Sequence, residues 1–454
     1  MKQVKQYENE KVLVLGLAKS GFSAAKLLHR LGALVTVNDG KPFEENPAAQ
    51  DLLEDGIRVI TGSHPIELLD EDFSLMVKNP GIPYSNPLVK KAESLHIPVL
   101  TEVELAYQVA ECPIIGITGT NGKTTTTTMI SLLLNQDREK GNAHLAGNIG
   151  FPASEVAEKA ESVDDIVMEM SSFQLMGIDE FHPQIAVITN IYEAHLDYHG
   201  SRDNYVAAKW AIQKNMNLSD YLVINWDSKE LQNLSSQSNA TIIPFSTKTE
   251  LENGAYLKNA GLYYQGERIM EAKELGVPGQ HNIENALAAI AVAKLKNVSN
   301  ESIYKAMTNF QGVPHRTQYV STIKGRKFYN DSKATNSLAT KMALSGFDNK
   351  TVILLAGGLD RGNGFDELIP AFHEIKAIIL FGETKNKLAE TAEKAGIKKI
   401  LFTENVETAV PLAYEYSAAG DNILLSPANA SWDQYSSFEI RGDKFTQAVG
   451  KLEK

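Results

Sequence analysis

The chain reads as an α/β protein of three domains, each built on a mainly parallel sheet. Three observations predict this. Short apolar runs that end in glycine or polar residues recur along the sequence and alternate with helical stretches, the pattern of buried parallel strands and their crossovers. One such run, Pro113–Ile117, opens directly into Gly119-Thr-Asn-Gly-Lys-Thr-Thr125. And 454 residues correspond, at about 150 per domain, to roughly three domains.

The first part opens with Lys11-Val-Leu-Val-Leu-Gly16, a β-type run ending in glycine. A helical stretch over Phe22–Leu31 follows, then a second apolar run, Leu34–Val37, ending at Asn38-Asp39-Gly40. Strand, helix and strand at this spacing predict a parallel βαβ unit and so a Rossmann-like domain, placed at residues 1–105. The turn Gly16-Leu-Ala-Lys-Ser-Gly21 lacks the middle glycine of GxGxxG. That favours a related phosphate-binding turn over dinucleotide binding, with Asp39 at the second strand's end in place to meet a ribose or base. A tight structural turn beside a solvated Asp39 is the alternative. Leu75-Met-Val-Lys-Asn-Pro-Gly-Ile82 reads as a strand entering a turn at its C-terminal end, where ligands of open α/β sheets gather.

The second part begins near Glu104–Glu111 and is placed at residues 106–312. In Gly119–Thr125, glycines let the backbone approach an anion, amides and a helix N-terminus point at it, Lys123 adds charge and Thr124 can ligate Mg²⁺. The spacing departs from GxxxxGK[ST], which would need glycine where Ile117 stands. A helix is predicted over Thr126–Leu134. Asp165-Ile-Val-Met-Glu-Met170 and Ile185-Ala-Val-Ile-Thr-Asn190 are apolar runs ending in polar residues, hence buried strands delivering chemistry at one edge. Helical patterns follow at Tyr205–Asn215 and Asn282–Lys296. The third part, placed at residues 313–454, starts around Gln311–Arg316. Its strands are expected at Lys327–Asp331, Thr351–Leu355, Ala377–Phe381 and Asn422–Leu425, giving a second Rossmann-like unit.

Composition sets outer limits. A content of 43% hydrophobic and 22% charged residues suits globular cores, and a net charge of −12 argues against a broad nucleic-acid surface. Cys112 is the single cysteine, which excludes an internal disulfide framework and a multi-cysteine zinc site. No run of about 18 apolar residues occurs, so no membrane span is expected. The polar start Met1–Lys11 lacks the apolar core of a secretory leader. A cytoplasmic protein is the expectation.

Three constellations extend the loop. Glu169, at a strand end in the same domain, is a natural Mg²⁺ ligand because hard cations prefer oxygen; alone, such a residue is more often a solvated or capping group, and beside Lys123-Thr124 the metal reading is favoured. His195, Asp197 and His199 together suggest zinc, yet without cysteine and with phosphates implied, one histidine helping to hold a second Mg²⁺ is more economical. Lys209 lies among small and apolar residues on an expected helix, and composition alone gives it no special status. The third set is Gln280–Asn285, His315-Arg316 and Tyr329–Asn336, where asparagine can read a purine edge, arginine can neutralise phosphate and aspartate can bond ribose hydroxyls.

Taken in order along essentially the whole chain, Gly119–Thr125, Glu169, Asn190 to His195, Lys209, Asn282, His315-Arg316 and Asp331 to Thr335 resemble the Mur ligase family, ATP-dependent amide-bond-forming enzymes of bacterial cell-wall synthesis. Glu169-Met-Ser-Ser-Phe-Gln-Leu175 and Ser426–Phe438, followed by Arg441-Gly442, look most like the members that add D-glutamate to UDP-N-acetylmuramoyl-L-alanine. The Asp-Asn-Pro-Arg motif of the diaminopimelate- and lysine-adding members is missing, and Asn121 stands where L-alanine-adding members tend to carry histidine.

The resemblance implies an N-terminal domain for the UDP sugar, a central ATPase domain, and a mobile C-terminal domain for the amino acid that closes to exclude water. A monomer is expected, with no nucleic-acid partner and no membrane insertion. Gly119, Thr120, Asn121, Gly122, Lys123, Thr124 and Thr125 would hold ATP with Asn282, Arg316 and Asp331. Leu17, Ala18, Lys19, Asp39, Gly40, Asn79, Gly81 and Asn148 would hold the UDP sugar. Thr335, Arg361, Ser431 and Phe438 fall where the family holds D-glutamate. Thr124 and Glu169 would bind one Mg²⁺, His195 and Lys209 a second, with Lys209 matching the family lysine that reacts with CO₂ to form a carbamate. Lys123, Glu169, His195, Lys209 and Arg316 are the implied catalytic set. Two residues differ from the family pattern: Ala194 replaces a carboxylate beside His195, and Arg361 stands where some D-glutamate-adding members have lysine. Other readings are a different amino-acid ligase of the superfamily, such as a folylpolyglutamate-synthetase-like enzyme, a non-ligase ATPase, and a catalytically idle sugar-nucleotide binder.

Overall fold

A computed structural model describes residues 1–452, without the side chain of Asp197. The fold is α/β throughout, with three sheets. Two compact units emerge: Met1–Met270 with Glu284–Tyr304, and Glu271–Ile283 with the residues from Lys305 onward. The first unit holds the first sheet and the bulk of the central one, while the second holds the last sheet.

The first sheet has five parallel strands in the spatial order Arg58–Thr61, Leu34–Asp39, Lys11–Leu15, Leu75–Lys78 and Val99–Leu100. Val12 to Leu15 are fully buried, as the unbroken apolar run requires of a strand covered on both faces. The chain order reverses at Lys11–Leu15, so a crevice opens at its C-terminal end. Register then decides who faces that crevice: Leu15 pairs with Asn38 on one side and Lys78 on the other. The Gly16 turn thus lies between Asp39 and Asn79.

The central sheet has nine strands. Ala143–Gly147, Asp165–Glu169, Ile114–Thr118, Ile185–Ile188, Tyr221–Asn225, Thr241–Ser246 and Ala255–Lys258 run parallel in that spatial order, and Gly261–Tyr264 turns back antiparallel. The sequence reading contained no such hairpin. Its residues, Ala255-Tyr-Leu-Lys and Gly-Leu-Tyr-Tyr264, are short and half-polar and give only a weak strand signal. The phosphate-loop strand Ile114–Thr118 sits between Asp165–Glu169 and Ile185–Ile188, with Ile117 opposite both Glu169 and Val187. The ends of all three strands therefore meet at one edge.

A helix, Glu102–Val109, links the first two sheets and spans the boundary expected at residue 105. It is bolted to the central part by buried polar groups. Glu104 accepts from the amides of Asp179, Glu180 and Phe181 at 2.8, 2.9 and 3.1 Å, and the Thr101 hydroxyl donates to the Gln174 carbonyl at 2.7 Å.

In the second unit, six strands lie in the order Gln318–Ile323, Arg326–Asn330, Asn422–Leu425, Val352–Gly357, Ala377–Phe381 and Ile400–Phe402. The first pair is antiparallel and the rest are parallel. Among the described residues, no helix is long and apolar enough to cross a membrane.

Candidate active site

The loop Gly119–Thr125 joins the strand Ile114–Thr118 to the helix Lys123–Asn135. Its two glycines are demanded by space as well as by backbone angle. Gly119 has φ of 149°, and an added Cβ would lie 1.9 Å from Thr189 Oγ1. Gly122, the residue that caps the helix, has φ of 80°, and its Cβ would lie 2.3 Å from Asn285 Oδ1. Neighbouring strand ends fix the loop. The Thr120 amide donates to the Asn190 carbonyl and the Asn121 amide to Asn190 Oδ1, both at 2.9 Å, while Thr189 Oγ1 donates to the Asn121 carbonyl at 2.7 Å. Lys123 arches back so that its ammonium donates to the carbonyls of Gly119 and Thr120, each at 3.0 Å. A turn of this kind, with amides and a lysine held at a helix start, is a phosphate cradle.

Glu169 ends the strand beside the loop and is 1% exposed. Its Oε1 accepts from Asn148 Nδ2 at 2.9 Å, whereas Oε2 is buried with no partner among the described residues. A buried carboxylate oxygen left bare is costly, so the residue fits a cation that would complete it. Thr124 is nearly buried at the helix start.

Lys209, on the helix Arg202–Trp210, is 2% exposed. It donates to the Gly119 carbonyl at 2.6 Å and stands 4.8 Å from the Tyr205 ring centre. Burial first, and then the charge of Lys123, push its pKa well below the ordinary lysine value, against the pull of Glu169. The helical pattern expected over Tyr205–Asn215 thus starts earlier and tightens into a 3₁₀ turn at Ala211–Gln213. His195 lies at the start of the short helix Leu196–His199 with φ of 55°, exposed, its ring edge-on to Phe173 at 5.1 Å. His199 turns inward instead: it is buried, 3.0 Å from Ser172 Oγ and stacked on Phe173. Among the described residues no group of three metal-ligating side chains occurs, and the Asp197 side chain of the trio weighed from sequence lies outside them. Ala194 packs against the apolar core.

A cavity of about 340 Å³ lies at the crevice of the first sheet. Ala18, Lys19, Asn79, Gly81 and Asn148 line it, bringing together residues from both sheets of the first unit. Leu17, Asp39 and Gly40 are not in its lining. Asp39 is engaged by its own loops, accepting from the amides of Leu17 at 2.6 Å and Lys41 at 2.8 Å. Asn148, in the cavity's lining, also donates to Glu169 Oε1 beside the phosphate loop. Glu102, Ser171, Phe173 and Gln174 line it too, and the sequence reading gave none of them a binding role. The available signal was a carboxylate set among apolar neighbours in Leu100-Thr-Glu-Val-Glu-Leu105.

In the second unit, Asp331 is buried and both oxygens are engaged: Oδ1 accepts from the Thr317 amide at 3.0 Å and Oδ2 from the Ser426 hydroxyl at 2.7 Å. Burial raises its pKa to about 7. Arg316 follows His315 in a tight bridge with Val313, and Asn282 donates to the Pro278 carbonyl at 2.6 Å. Thr335 and Arg361 share a cavity of about 230 Å³ with Asn429. The Arg361 guanidinium lies 5.0 Å from the centre of the exposed Trp432 ring. Ser431 does not line that cavity; its hydroxyl is buried without a partner among the described residues. The Phe438 ring faces Lys333 at 4.7 Å and His315 at 6.2 Å. Cys112, the lone thiol, is buried and pushed up to about 11, which suits an inert residue.

Residues 10–101 match the profile described as Mur ligase MurD-like, N-terminal domain, residues 117–293 the Mur ligase middle domain, and residues 315–429 the Mur ligase, glutamate ligase domain. A protein of Enterococcus faecalis named UDP-N-acetylmuramoylalanine--D-glutamate ligase is 69% identical over 452 residues, covering 100% of this chain and 99% of its own. One of the same name from Lactiplantibacillus plantarum is 61% identical over 453 residues, covering 100% and 98%. Among solved structures, UDP-N-acetylmuramate-alanine ligase from Thermotoga maritima aligns with a TM-score of 0.58 at 20% identity, over 97% of this chain and 99% of its own. At that identity it speaks for the fold alone. The chain belongs to the Mur ligase family.

Proposed function

We propose that this chain is an ATP-dependent ligase that joins D-glutamate to UDP-N-acetylmuramoyl-L-alanine, releasing ADP and phosphate, as a cytoplasmic step of bacterial peptidoglycan precursor synthesis. The observation that carries this reading is the 69% identity to a D-glutamate ligase over the full length of both chains. On this reading residues 1–105 serve the UDP sugar, 106–312 ATP and 313–454 the amino acid.

The chemistry starts from a carboxylate, which is a poor electrophile. Its oxygen forms a bond to the γ-phosphorus of ATP as the bond to the ADP oxygen breaks, giving an acyl phosphate. The neutral amine of D-glutamate then attacks the acyl carbon, the C–N bond forms, the C–O bond to phosphate breaks, and the amine's proton is released. Two anions must meet in the first step, so the task is electrostatic and positional. The amides of Gly119–Thr125 and the Lys123 ammonium hold the polyphosphate, with Arg316 as a further cation and Asn282 and Asp331 as candidates for the adenosine. The cavity at Ala18, Lys19, Asn79, Gly81 and Asn148 holds the sugar nucleotide, and Leu17, Asp39 and Gly40 shape the turns beside it. Thr335, Arg361, Ser431 and Phe438 are assigned to D-glutamate; the Ser431 hydroxyl, without a partner among the described residues, and the Arg361 guanidinium over Trp432 are suited to its carboxylates.

Mg²⁺, when bound, would neutralise phosphate charge. Glu169 and Thr124 would hold one ion, and His195 with Lys209 a second. Lys209 as an ammonium is ill-placed, since it is buried and faces another cation. The neutral amine favoured there is the form that attacks CO₂: a C–N bond forms, a proton leaves, and the product is a carbamate anion next to Lys123. This would turn an unfavourable buried cation into a long-armed carboxylate.

The reading is tested by phosphate release from ATP with UDP-N-acetylmuramoyl-L-alanine and a panel of amino acids. Strict dependence on D-glutamate is expected. Preference for another amino acid, or turnover without any, would overturn it.

A further inference from the structure

Lys78 is the last residue of the strand Leu75–Lys78 and is 1% exposed. It makes no ion pair among the described residues. Its ammonium donates to the Ile82 carbonyl at 2.8 Å and to the Tyr198 hydroxyl at 3.1 Å, and stands 4.7 Å from the centre of the Tyr84 ring. Burial lowers its pKa to about 8. A buried cation satisfied only by a carbonyl, a phenol and a ring face is an expensive way to close a turn, because neutral residues could fill the same volume without desolvating a charge.

Its partners explain the arrangement. The Tyr198 hydroxyl, while accepting from Lys78, shares its own proton between the carbonyls of Pro80 at 3.0 Å and Ile82 at 2.9 Å. Asn79, Pro80 and Gly81, with Ala18, Lys19 and Ser20, line the 340 Å³ cavity on the first-sheet side. Tyr198 belongs to the helical turn Leu196–His199 that follows His195. Phe173, on the opposite wall, packs edge-on against Tyr198 at 4.4 Å and against His195 at 5.1 Å. One knot therefore ties a cavity wall from the first sheet to the segment that carries His195.

We infer that Lys78 is a positioning residue: by holding the Tyr198 phenol against the carbonyls of Pro80 and Ile82, it fixes the wall of the sugar-nucleotide cavity to the turn that presents His195, so that filling the cavity sets where His195 stands. The inference rests on the reading of that cavity as the UDP-sugar site and of His195 as part of the phosphoryl-transfer centre. It makes Tyr198→Phe, which removes only the link, and Lys78→Met, which removes the charge but keeps the stem, behave alike.

The experiment is amide hydrogen exchange of the full chain with and without UDP-N-acetylmuramoyl-L-alanine, no ATP present, alongside steady-state kinetics. In the parent protein the sugar nucleotide slows exchange at residues 79–82 and also at 195–200. In Tyr198→Phe the slowing at 79–82 persists, that at 195–200 is lost, and kcat falls roughly ten- to hundredfold while KM for the sugar nucleotide moves less than about threefold, as expected when a reacting group is misplaced by about 1 Å. Lys78→Met gives the same pattern, and unchanged exchange in the strand Ile114–Thr118 shows that it is folded. Should Lys78→Met fail to fold, Tyr198→Phe alone decides. Slowing at 195–200 that survives in Tyr198→Phe, or parental kcat in that variant, overturns the inference. No slowing at 79–82 in the parent overturns the substrate reading, and the coupling with it.

Discussion

Glu102 offers a quantitative check on the cavity. It is 2% exposed, lines the cavity proposed to hold the sugar nucleotide, and accepts from the Ser154 amide at 2.5 Å through Oε1, while Oε2 has no partner among the described residues. Burial is the largest cause of its raised pKa, from 4.5 to about 7, with the Ser154 bonds pulling the other way and Glu155 adding to the rise. A carboxyl whose folded pKa lies above its unfolded value contributes stability that is complete below about 4.5 and is lost as pH rises through about 7. Glutamine keeps the acceptor for the Ser154 amide and cannot ionise. At about 1.36 kcal/mol per pKa unit, Glu102→Gln should gain about 3 kcal/mol at pH 8 and about 1 kcal/mol at pH 5.5, relative to a protonated glutamate. Any fixed offset between amide and acid cancels in the difference, leaving a pH-dependent gain of about 2 kcal/mol. Calorimetry of the parent and the variant at both pH values measures it. At about 2.1 cal/mol/K of unfolding entropy per residue, the melting-temperature advantage of the variant should widen by roughly 2 to 3 °C between pH 5.5 and 8. An advantage that is the same at both would mean that Glu102 ionises as a hydrated carboxylate and that the wall around it is not dry.

Two further predictions concern the proposed chemistry. Lys123→Ala should remove phosphate release while leaving the circular dichroism spectrum near that of the parent, because the ammonium donates to the carbonyls of Gly119 and Thr120 in its own loop rather than to a distant element; a folded variant with near-normal turnover refutes the role. Ser431→Ala should raise KM for D-glutamate by about tenfold, the worth of one lost hydrogen bond to a charged group, yet not lower the melting temperature, since its hydroxyl has no hydrogen-bond partner among the described residues. A drop in stability with unchanged KM would mark Ser431 as structural.

Legibility from sequence followed how locally each feature is encoded. The strand Ala377–Phe381 and the strand Asn422–Leu425 stand where their apolar runs were, because a strand buried on both faces carries an uninterrupted signal. The loop Gly119–Thr125 was equally plain, for its glycines answer to contacts with Thr189 and Asn285 that no other residue type permits. Glu169 was legible as a strand-end carboxylate, but its bare oxygen and its bond to Asn148 depend on a neighbouring strand end. The cavity wall was the least legible part. Glu102, Ser171 and Phe173 come from a linker helix and a loop of the next domain and meet only when the two sheets of the first unit pack. Lys78 carried no local signal either, since its partner Tyr198 lies 120 residues away. The roles of Lys209 and the D-glutamate residues came from family resemblance, because a lysine on a helix and a serine in a loop look alike whether or not they do chemistry.

The central claim is that a carboxylate is activated by phosphorylation and then captured by D-glutamate. Its most direct test uses UDP-N-acetylmuramoyl-L-alanine labelled with ¹⁸O in both carboxylate oxygens, incubated with the chain, ATP, Mg²⁺ and D-glutamate, with the released phosphate analysed by mass spectrometry. An acyl phosphate requires that one labelled oxygen leave with each phosphate while the other stays in the new amide. Phosphate carrying a single ¹⁸O is the predicted result, and unlabelled phosphate would contradict the account.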